Sequence, residues 1–384
     1  MADFVFNSLS GDEEKAFKNL GLDRKNWLLS GEDTLFTPEY TIDEMAKVMY
    51  DEGIELVIKR IGNENYNYKS IVLGSINKES LTTFKAGQKI AVTFKINDKY
   101  ITRSFSLYSS NADAVDGEYK ILVYNNPDDL LLQEVYEHIK TGEKVLCSKP
   151  FGNFYYNSIR DAKDVIAIIS DGGIAPIYSM IQAIIAKEEN FNLTVYYSVK
   201  KYEDLLFYDE LKEYDEKSNK IKIYYVLSEE EREDCLKGFV TSDMLREEMK
   251  EYTSFFISGG EGLLKYLNKE LEVFKLPKKY VRYDDYLPKC NIKKVVEYKL
   301  TIYIDNEKFE TKCYNNRTIM DSITDAGIFI PSKCHNGSCG FCNSELVMGK
   351  VKVVNDKRDG AMKEHNYIHP CCTYPLSDVE IIVR

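Results

Sequence analysis

The sequence has no long hydrophobic run and no excess of basic residues. Its longest apolar stretch, residues 165–169, is far too short to cross a bilayer. The N-terminus lacks a basic segment followed by an apolar run, so we predict no signal peptide, no membrane span and a cytoplasmic location. The formal net charge of −11 gives no electrostatic footprint for nucleic acid. A basic redox partner would suit this acidity, although solubility alone accounts for it.

The chain is also poor in features of a secreted disulfide scaffold. Nine cysteines are present, and an odd number in a chain without an export signal argues against a framework of disulfide bonds. Five of the nine fall within the last 51 residues. In a reducing compartment, clustering of that kind indicates a metal site.

The patterning of the 384 residues predicts several domains. Residues 1–52 form an N-terminal extension to which we assign no function. Short alternating strands over residues 53–155 predict a small antiparallel barrel. Strand–helix alternation over residues 156–288 predicts a doubly wound parallel α/β domain. A linker over residues 289–296 leads to a last domain, residues 297–384, with a hairpin, a helix and a closing strand.

The cysteine cluster has the spacing C-x4-C-x2-C with a later cysteine pair, which is typical of plant-type [2Fe–2S] sites. Gly337 and Gly340 lie within this run and permit a tight loop whose backbone N–H groups approach the sulfurs. A structural zinc site usually takes its cysteines as two short pairs, and a thioredoxin-like C-x-x-C has no third cysteine nearby. The cysteines of the cluster are Cys334, Cys339, Cys342, Cys371 and Cys372.

Residues 297–384 resemble a plant-type ferredoxin domain, which implies a β-grasp fold and a [2Fe–2S] cluster. In the closing segment of that family the fourth ligand precedes a proline by four positions. The resemblance therefore implies Cys371, four positions before Pro375, with its neighbour Cys372 as the alternative. The other ligands would be Cys334, Cys339 and Cys342. The four remaining cysteines match no ligand position.

The barrel segment carries the run Arg103-Ser104-Phe105-Ser106 on a predicted strand. Together with the α/β domain that follows, it resembles the ferredoxin-NADP reductase family, whose corresponding motif carries the flavin. The resemblance implies that Arg103 binds a flavin phosphate, that Phe105 flanks the ring and that Ser106 hydrogen-bonds near the reactive nitrogen. The family's Gly-rich flavin loop is replaced here by residues 126–130, which include two aspartates. We favour FAD, with FMN as the alternative.

Three segments of the α/β domain resemble the nicotinamide site of the same family. The turn after the first strand contains Gly172, Gly173, Ile174 and Pro176, suited to a pyrophosphate at a helix N-terminus. Asp171 is an unfavourable charge in that turn. After the second strand, Ser198 and Lys200 stand where the family reads the adenosine ribose, which favours NADPH over NADH. After a later strand come Ser258, Gly259 and Gly260, with Ser258 beside the nicotinamide.

The architecture implies a route for electrons from NAD(P)H through a flavin to a [2Fe–2S] cluster and on to an external acceptor. Ser106 and Ser258 are then the candidate catalytic residues. The acceptor stays open between an oxygenase, a hybrid-cluster protein and a membrane-bound partner. Because Asp128, Asp129 and Asp171 would repel phosphates, the alternative is a non-enzymatic electron-relay or redox-sensing subunit of a larger complex.

Overall fold

The computed structural model describes residues 53–284, 290, 292, 294–304 and 307–383. The predicted N-terminal extension, three residues of the predicted linker (289, 291 and 293) and the hairpin turn at residues 305–306 lie outside the described residues. The domain boundaries given above stay predictions. No helix of the described ranges is long and apolar enough to cross a membrane.

The first described domain is a six-stranded antiparallel sheet that pairs in the order β4-β3-β6-β1-β2-β5. Its strands are β1 (Ile54–Asn63), β2 (Tyr68–Ser75), β3 (Lys89–Ile96), β4 (Lys99–Ser106), β5 (Glu118–Tyr124) and β6 (Lys144–Cys147). The two edges meet where Leu107, just after β4, pairs with Ile121 of β5. The sheet therefore curls into the predicted small barrel. The chain between strands forms helices α1 (Asn111–Val115) and α2 (Leu130–His138).

The second domain is a six-stranded parallel sheet in the order β10-β9-β8-β7-β11-β12. Its strands are β7 (Asp164–Ser170), β8 (Asn192–Val199), β9 (Ile221–Leu227), β10 (Leu236–Lys237), β11 (Thr253–Ser258) and β12 (Val281–Tyr283). Its helices are α3 (Ile174–Ile185), α4 (Tyr208–Lys217), α5 (Ser242–Glu248) and α6 (Glu261–Glu272). Strand β7 carries apolar side chains on both faces, and each face packs against a separate buried hydrophobic cluster.

The strand order of the parallel sheet reverses between β7 and β11. From β7 the chain adds β8, β9 and β10 on one side, then crosses back to add β11 and β12 on the other. Ligands of doubly wound sheets bind at the carboxyl ends of the strands next to this reversal. Those ends are Ser170 of β7 and Ser258 of β11, both in segments that the sequence predicted to bind a nucleotide.

The third domain is a five-stranded mixed sheet in the order β14-β13-β19-β15-β17, with a two-stranded ribbon of β16 and β18. The strands are β13 (Glu297–Ile304), β14 (Glu307–Tyr314), β15 (Ser344–Met348), β16 (Val351–Val353), β17 (Tyr367–Ile368), β18 (Thr373–Pro375) and β19 (Val379–Val383). The helices are α7 (Ile319–Asp325) and α8 (Gly360–Glu364). Thr318 and Asp321 cap the N-terminus of α7 reciprocally. Gly327, with φ +73°, follows its end.

Candidate functional site

The predicted cluster ligands come together in the third domain. The loop between α7 and β15 carries Cys334, Cys339 and Cys342, and a single turn after β17 carries Cys371. The thiol of Cys371 lies close enough to those of Cys334 and Cys342 to interact with both, and the thiol of Cys334 also lies beside that of Cys339. Backbone N–H groups of the loop add to this, since that of Ser338 donates to Cys334 Sγ at 3.3 Å. Thiols supported by N–H groups in this way suit an iron–sulfur cluster.

Cys372 lies beside the ligand group without joining it. Its side chain is completely buried, and its Sγ contacts Cys371 and the backbone carbonyl of His369, at 3.5 Å. A Cβ atom on Gly337 would stand 2.7 Å from Cys372 Sγ, and Gly337 has φ +77°. The loop therefore needs glycine at this position for both space and backbone angle. These contacts favour Cys371 over Cys372 as the fourth ligand.

The donor set consists of thiols. A [2Fe–2S] cluster is held by four thiolates shared between two irons, and the four side chains named above have that chemistry. Among the described residues, no three His, Cys, Asp or Glu side chains form a preorganised site for one metal ion.

The third domain packs on the barrel through strand β4. Ser104 Oγ donates to the backbone carbonyl of Cys334 at 3.1 Å. Lys99 forms an ion pair with Asp325 of α7 at 3.1 Å, and the rings of Tyr100 and Phe329 meet edge to face at 5.7 Å. The strand that carries the predicted flavin motif thus also holds the cluster loop.

Arg103 is enclosed by two carboxylates. Its Nε and Nη2 donate to Asp129 at 2.7 and 2.8 Å, and Nη2 also donates to Asp321 of α7 at 3.0 Å. Asp129 is the N-cap of α2 and accepts from the N–H of Leu132. Burial opposes the ionisation of Asp129, but the Arg103 charge outweighs it and lowers the pKa to about 2. The guanidinium that was predicted to bind a phosphate is therefore ion-paired with two carboxylates of the protein in this structure.

A cavity of about 660 Å³ separates the barrel from the parallel sheet. Stacked rings of Tyr68 and Tyr124, 4.9 Å apart, form part of its wall. Among its lining are nine of the predicted site residues: Ser104, Phe105, Ser106, Gly172, Gly173, Lys200, Ser258, Gly259 and Gly260. Predicted residues from separate segments of the chain thus share one cavity.

Four predicted residues do not line this cavity. Arg103 lies behind it, and Ile174 and Pro176 are buried in α3 as part of the helix that packs on the sheet. Ser198 is the penultimate residue of β8 and is partly buried. Lys200 does line the cavity but is exposed, and its Nζ pairs with Glu229 at 3.4 Å.

Asp284, which the sequence analysis missed, joins the two predicted catalytic serines. Ser106 Oγ and Ser258 Oγ both donate to its Oδ2, at 3.3 and 3.1 Å. Lys89 Nζ forms an ion pair with its Oδ1 at 2.8 Å. The carboxylate follows β12 and closes the cavity from the side of the α/β domain. A single aspartate after a short edge strand gives no signal in the sequence that would identify this role.

Two positions of the turn after β7, Gly172 and Gly173, leave no room for a side chain. The N–H of Gly172 donates to the hydroxyl of Tyr68, a residue of barrel strand β2, at 3.0 Å. A Cβ atom on Gly173 would lie 2.3 Å from the carbonyl oxygen of Ser258. Asp171 in the same turn is exposed at the surface, and partial loss of solvent, followed by the Asp204 charge, raises its pKa. Close approach of this turn to β11 therefore fixes the shape of the cavity.

Replacing Gly173 with alanine is expected to lower the free energy of unfolding by about 1–3 kcal/mol, because the added methyl overlaps backbone atoms that cannot rotate away. Chemical denaturation followed by circular dichroism measures the change. Gly262 is the matched control, since a Cβ there meets no atom within 4 Å and its position in α6 favours alanine. Equal stabilities of the two alanine variants would contradict the packing argument.

Two family models match the chain. The oxidoreductase NAD-binding domain matches residues 169–269, and the 2Fe-2S iron-sulfur cluster binding domain matches residues 302–376. Among solved structures, phthalate dioxygenase reductase, described as a modular structure for electron transfer from pyridine nucleotides to [2Fe-2S], aligns with a TM-score of 0.66 and 20% identity. The alignment covers 87% of this chain and 98% of that one. At this identity the likeness concerns the fold.

Curated relatives share parts of the chain. The glycine betaine monooxygenase reductase subunit of Chromohalobacter salexigens is 22% identical over 326 residues, covering 78% of this chain and 87% of that protein. Flavohemoprotein A of Dictyostelium discoideum is 26% identical over 251 residues. That match covers 62% of this chain but only 61% of the relative's length.

The matched domains and the fold define the class: an NAD(P)H-dependent flavin and iron–sulfur oxidoreductase. Within that class, the resemblance seen in the sequence is confirmed. The chain has the architecture of a ferredoxin-NADP reductase-like flavoprotein fused to a C-terminal plant-type [2Fe–2S] ferredoxin domain. Its cofactors are a [2Fe–2S] cluster, a flavin and NAD(P)H.

The cavity suits the ring of a flavin better than its phosphates. Phe105, Tyr68 and the hydroxyl of Ser106 offer aromatic surface and a hydrogen bond. Within the described residues, Lys200 is the one cation in the lining, whereas five carboxylates line it: Asp128, Asp171, Asp204, Glu261 and Asp284. A phosphate group would have to bind through backbone N–H groups or compete for Arg103.

Proposed function

We propose that this protein takes electrons from NAD(P)H at the cavity between the barrel and the parallel sheet and delivers them singly through the ferredoxin domain to a separate acceptor protein. When bound, a flavin supplies the conversion, since it accepts two electrons and releases one at a time, as a [2Fe–2S] cluster requires. The relatives that are reductase subunits of oxygenases support an acceptor of that kind.

One contact carries the proposal. Ser104 lines the cavity, and its hydroxyl donates to the backbone carbonyl of Cys334, a predicted cluster ligand, at 3.1 Å. The ion pair of Arg103 with Asp321 and the ring pair of Tyr100 and Phe329 hold the same two surfaces together. A short path thus joins the cavity wall to the cluster loop, which is what electron transfer between two centres needs.

The chain's own residues also order the cavity. Asp284 accepts hydrogen bonds from Ser106 and Ser258, so one carboxylate fixes a hydroxyl from the barrel and a hydroxyl from the α/β domain. Lys89 balances the charge of Asp284 at 2.8 Å. We propose that Ser106 and Ser258 position the reacting rings from opposite walls, and that Asp284 holds both serines in place.

The test is anaerobic addition of NADH or NADPH to protein purified without oxygen, with iron, labile sulfide and flavin quantified first. We expect the flavin absorption to bleach and the visible absorption of the cluster to fall to the level that dithionite gives in the same sample. Bleaching of neither chromophore by either nucleotide would refute the proposal. The comparison of the two nucleotides also tests the predicted preference for NADPH. That prediction depends on Lys200, whose Nζ already pairs with Glu229.

The same measurement separates the alternative of a relay subunit without nicotinamide chemistry. The carboxylates of the cavity favour that alternative, because they oppose phosphate binding. A relay subunit would show flavin and cluster in full amount and reduction by dithionite, but no response to nucleotide. The choice of FAD over FMN and the cytoplasmic location are further parts of the proposal.

A further inference from the structure

A second, larger cleft of about 840 Å³ lies where the three domains meet. We call it the cluster cleft and define it by Phe151, Arg160, Arg282, Asp284, Cys339 and Lys357, which all line it. Phe151 follows the barrel, Arg160 and Arg282 belong to the α/β side, and Cys339 and Lys357 belong to the ferredoxin domain. It is separate from the cavity between the barrel and the parallel sheet, except that Asp284 lines both.

The cluster cleft borders the most accessible of the predicted ligands. Cys334, Cys342 and Cys371 are each 3% exposed or less, whereas Cys339 is only partly buried. Electron transfer weakens steeply with distance, so an acceptor gains most by approaching the cluster on its exposed side. Any protein that takes electrons directly from the cluster is therefore expected to contact the surface around Cys339.

The charge of this surface opposes that of the whole chain. Arg160, Arg282 and Lys357 line the cluster cleft, and Lys333 lies at its rim with Nζ 4.8 Å from the Phe151 ring centre. Asp284 is the one carboxylate in the lining among the described residues.

A second carboxylate lies behind the lining. Asp161, whose side chain is fully buried, pairs with both arginines, at 2.8 Å to Arg160 and 2.7 Å to Arg282. Counting it together with Asp284, the described part of the cleft has four cations, those of Arg160, Arg282, Lys333 and Lys357, against two carboxylates, in a protein of net charge −11.

We propose that the cluster cleft is the docking surface for the electron acceptor and that the acceptor presents an acidic segment to it. The inference rests on the proposed function and names the chemistry of its partner. Local charge rather than net charge sets the orientation in which two proteins meet, because opposite potentials steer the encounter. The acidity of the chain as a whole, which solubility alone accounts for, does not set the charge of the partner; the surface around Cys339 selects an acidic one.

The test uses full-length protein with flavin and cluster bound, reduced photochemically so that no nucleotide step is involved. Stopped-flow mixing with cytochrome b5, an acidic haem protein, and with cytochrome c, a basic one, gives second-order rate constants of haem reduction. We expect the rate constant for cytochrome b5 to fall as salt is added. Lys357→Glu should lower it by about 5- to 20-fold at low ionic strength.

The matched control is Lys212→Glu, the same charge change at an exposed lysine of α4 that does not line the cluster cleft. It should alter the rate constant by less than about twofold, since exposed charges outside the contact are screened. A direct measurement accompanies the kinetics: anisotropy of a labelled deca-glutamate peptide should report binding to the parent protein and a loss of affinity in Lys357→Glu of similar size.

The proposal is overturned if the peptide does not bind, if both lysine variants behave alike, or if cytochrome c shows the salt dependence expected of cytochrome b5. Because reduction is photochemical, a protein that fails to respond to NAD(P)H can still pass or fail this test. Failure of the docking surface and failure of the proposed function are thereby distinguishable.

Discussion

Cys371→Ser is expected to give protein that purifies without the visible absorption of a [2Fe–2S] cluster and with iron and labile sulfide near zero. The thiol of Cys371 lies beside those of both Cys334 and Cys342, so its loss leaves the cluster with three of its four thiolate ligands. A hydroxyl is a poor substitute for a thiolate toward iron. Iron and sulfide assays with absorption spectroscopy measure the change, and flavin content should stay at the parent level.

The neighbouring cysteine supplies the control. Cys372→Ser removes a thiol from the same buried turn but not from the ligand group, so the cluster should remain at more than about half of the parent iron content. Its Sγ packs beside Gly337, and the smaller hydroxyl keeps that contact without overlap. If the variant at position 372 lost the cluster and the variant at position 371 retained it, the fourth ligand would have to be reassigned.

The cysteine ligands illustrate what local sequence can predict. Three of them lie within nine residues, and their spacing encodes the loop that holds them. The parallel sheet was equally visible, because the apolar strand β7 and the glycines of the next turn are neighbours in the chain. Patterns of this kind depend on residues that are close in sequence, so they survive without knowledge of the fold.

The partners of the predicted site residues were not visible for the opposite reason. Arg103 and Asp321 are 218 positions apart, Ser104 and Cys334 are 230 apart, and Ser106 is 178 from its hydrogen-bond acceptor Asp284. The motif around Arg103 therefore identified a strand that lines the cavity, but it did not reveal that the guanidinium pairs with Asp129 and Asp321. Net charge has the same limit, since an overall balance of −11 does not show where Arg160, Arg282 and Lys357 gather in the fold.

The pairing of Arg103 with two carboxylates leads to a prediction that phosphate binding alone would not make. Arg103→Gln is expected to lower the free energy of unfolding by about 2–4 kcal/mol at pH 7, because it leaves Asp129 and Asp321 charged and without their cation. The expected loss of stability is smaller than for a fully buried ion pair, because the Asp129 side chain is 25% exposed to solvent. Denaturant unfolding followed by the near-ultraviolet signal measures it. Lys99→Gln, which removes two more exposed ion pairs from the same strand, with Glu134 and Asp325, should cost less than about 1 kcal/mol.

The pH dependence gives a sharper test of the same pair. The pKa of Asp129 is about 2 in the folded chain and about 3.9 when unfolded, so the folded state favours the charged carboxylate. A lowered pKa adds stability that is complete above the unfolded value and is lost as the pH falls toward the folded one. The difference in stability between the parent and Arg103→Gln should therefore be constant from pH 7 to about 5 and shrink steadily between about pH 4 and 2. A difference that did not change over that range would mean that Arg103 stabilises the barrel through packing rather than through the charge that it offers to Asp129.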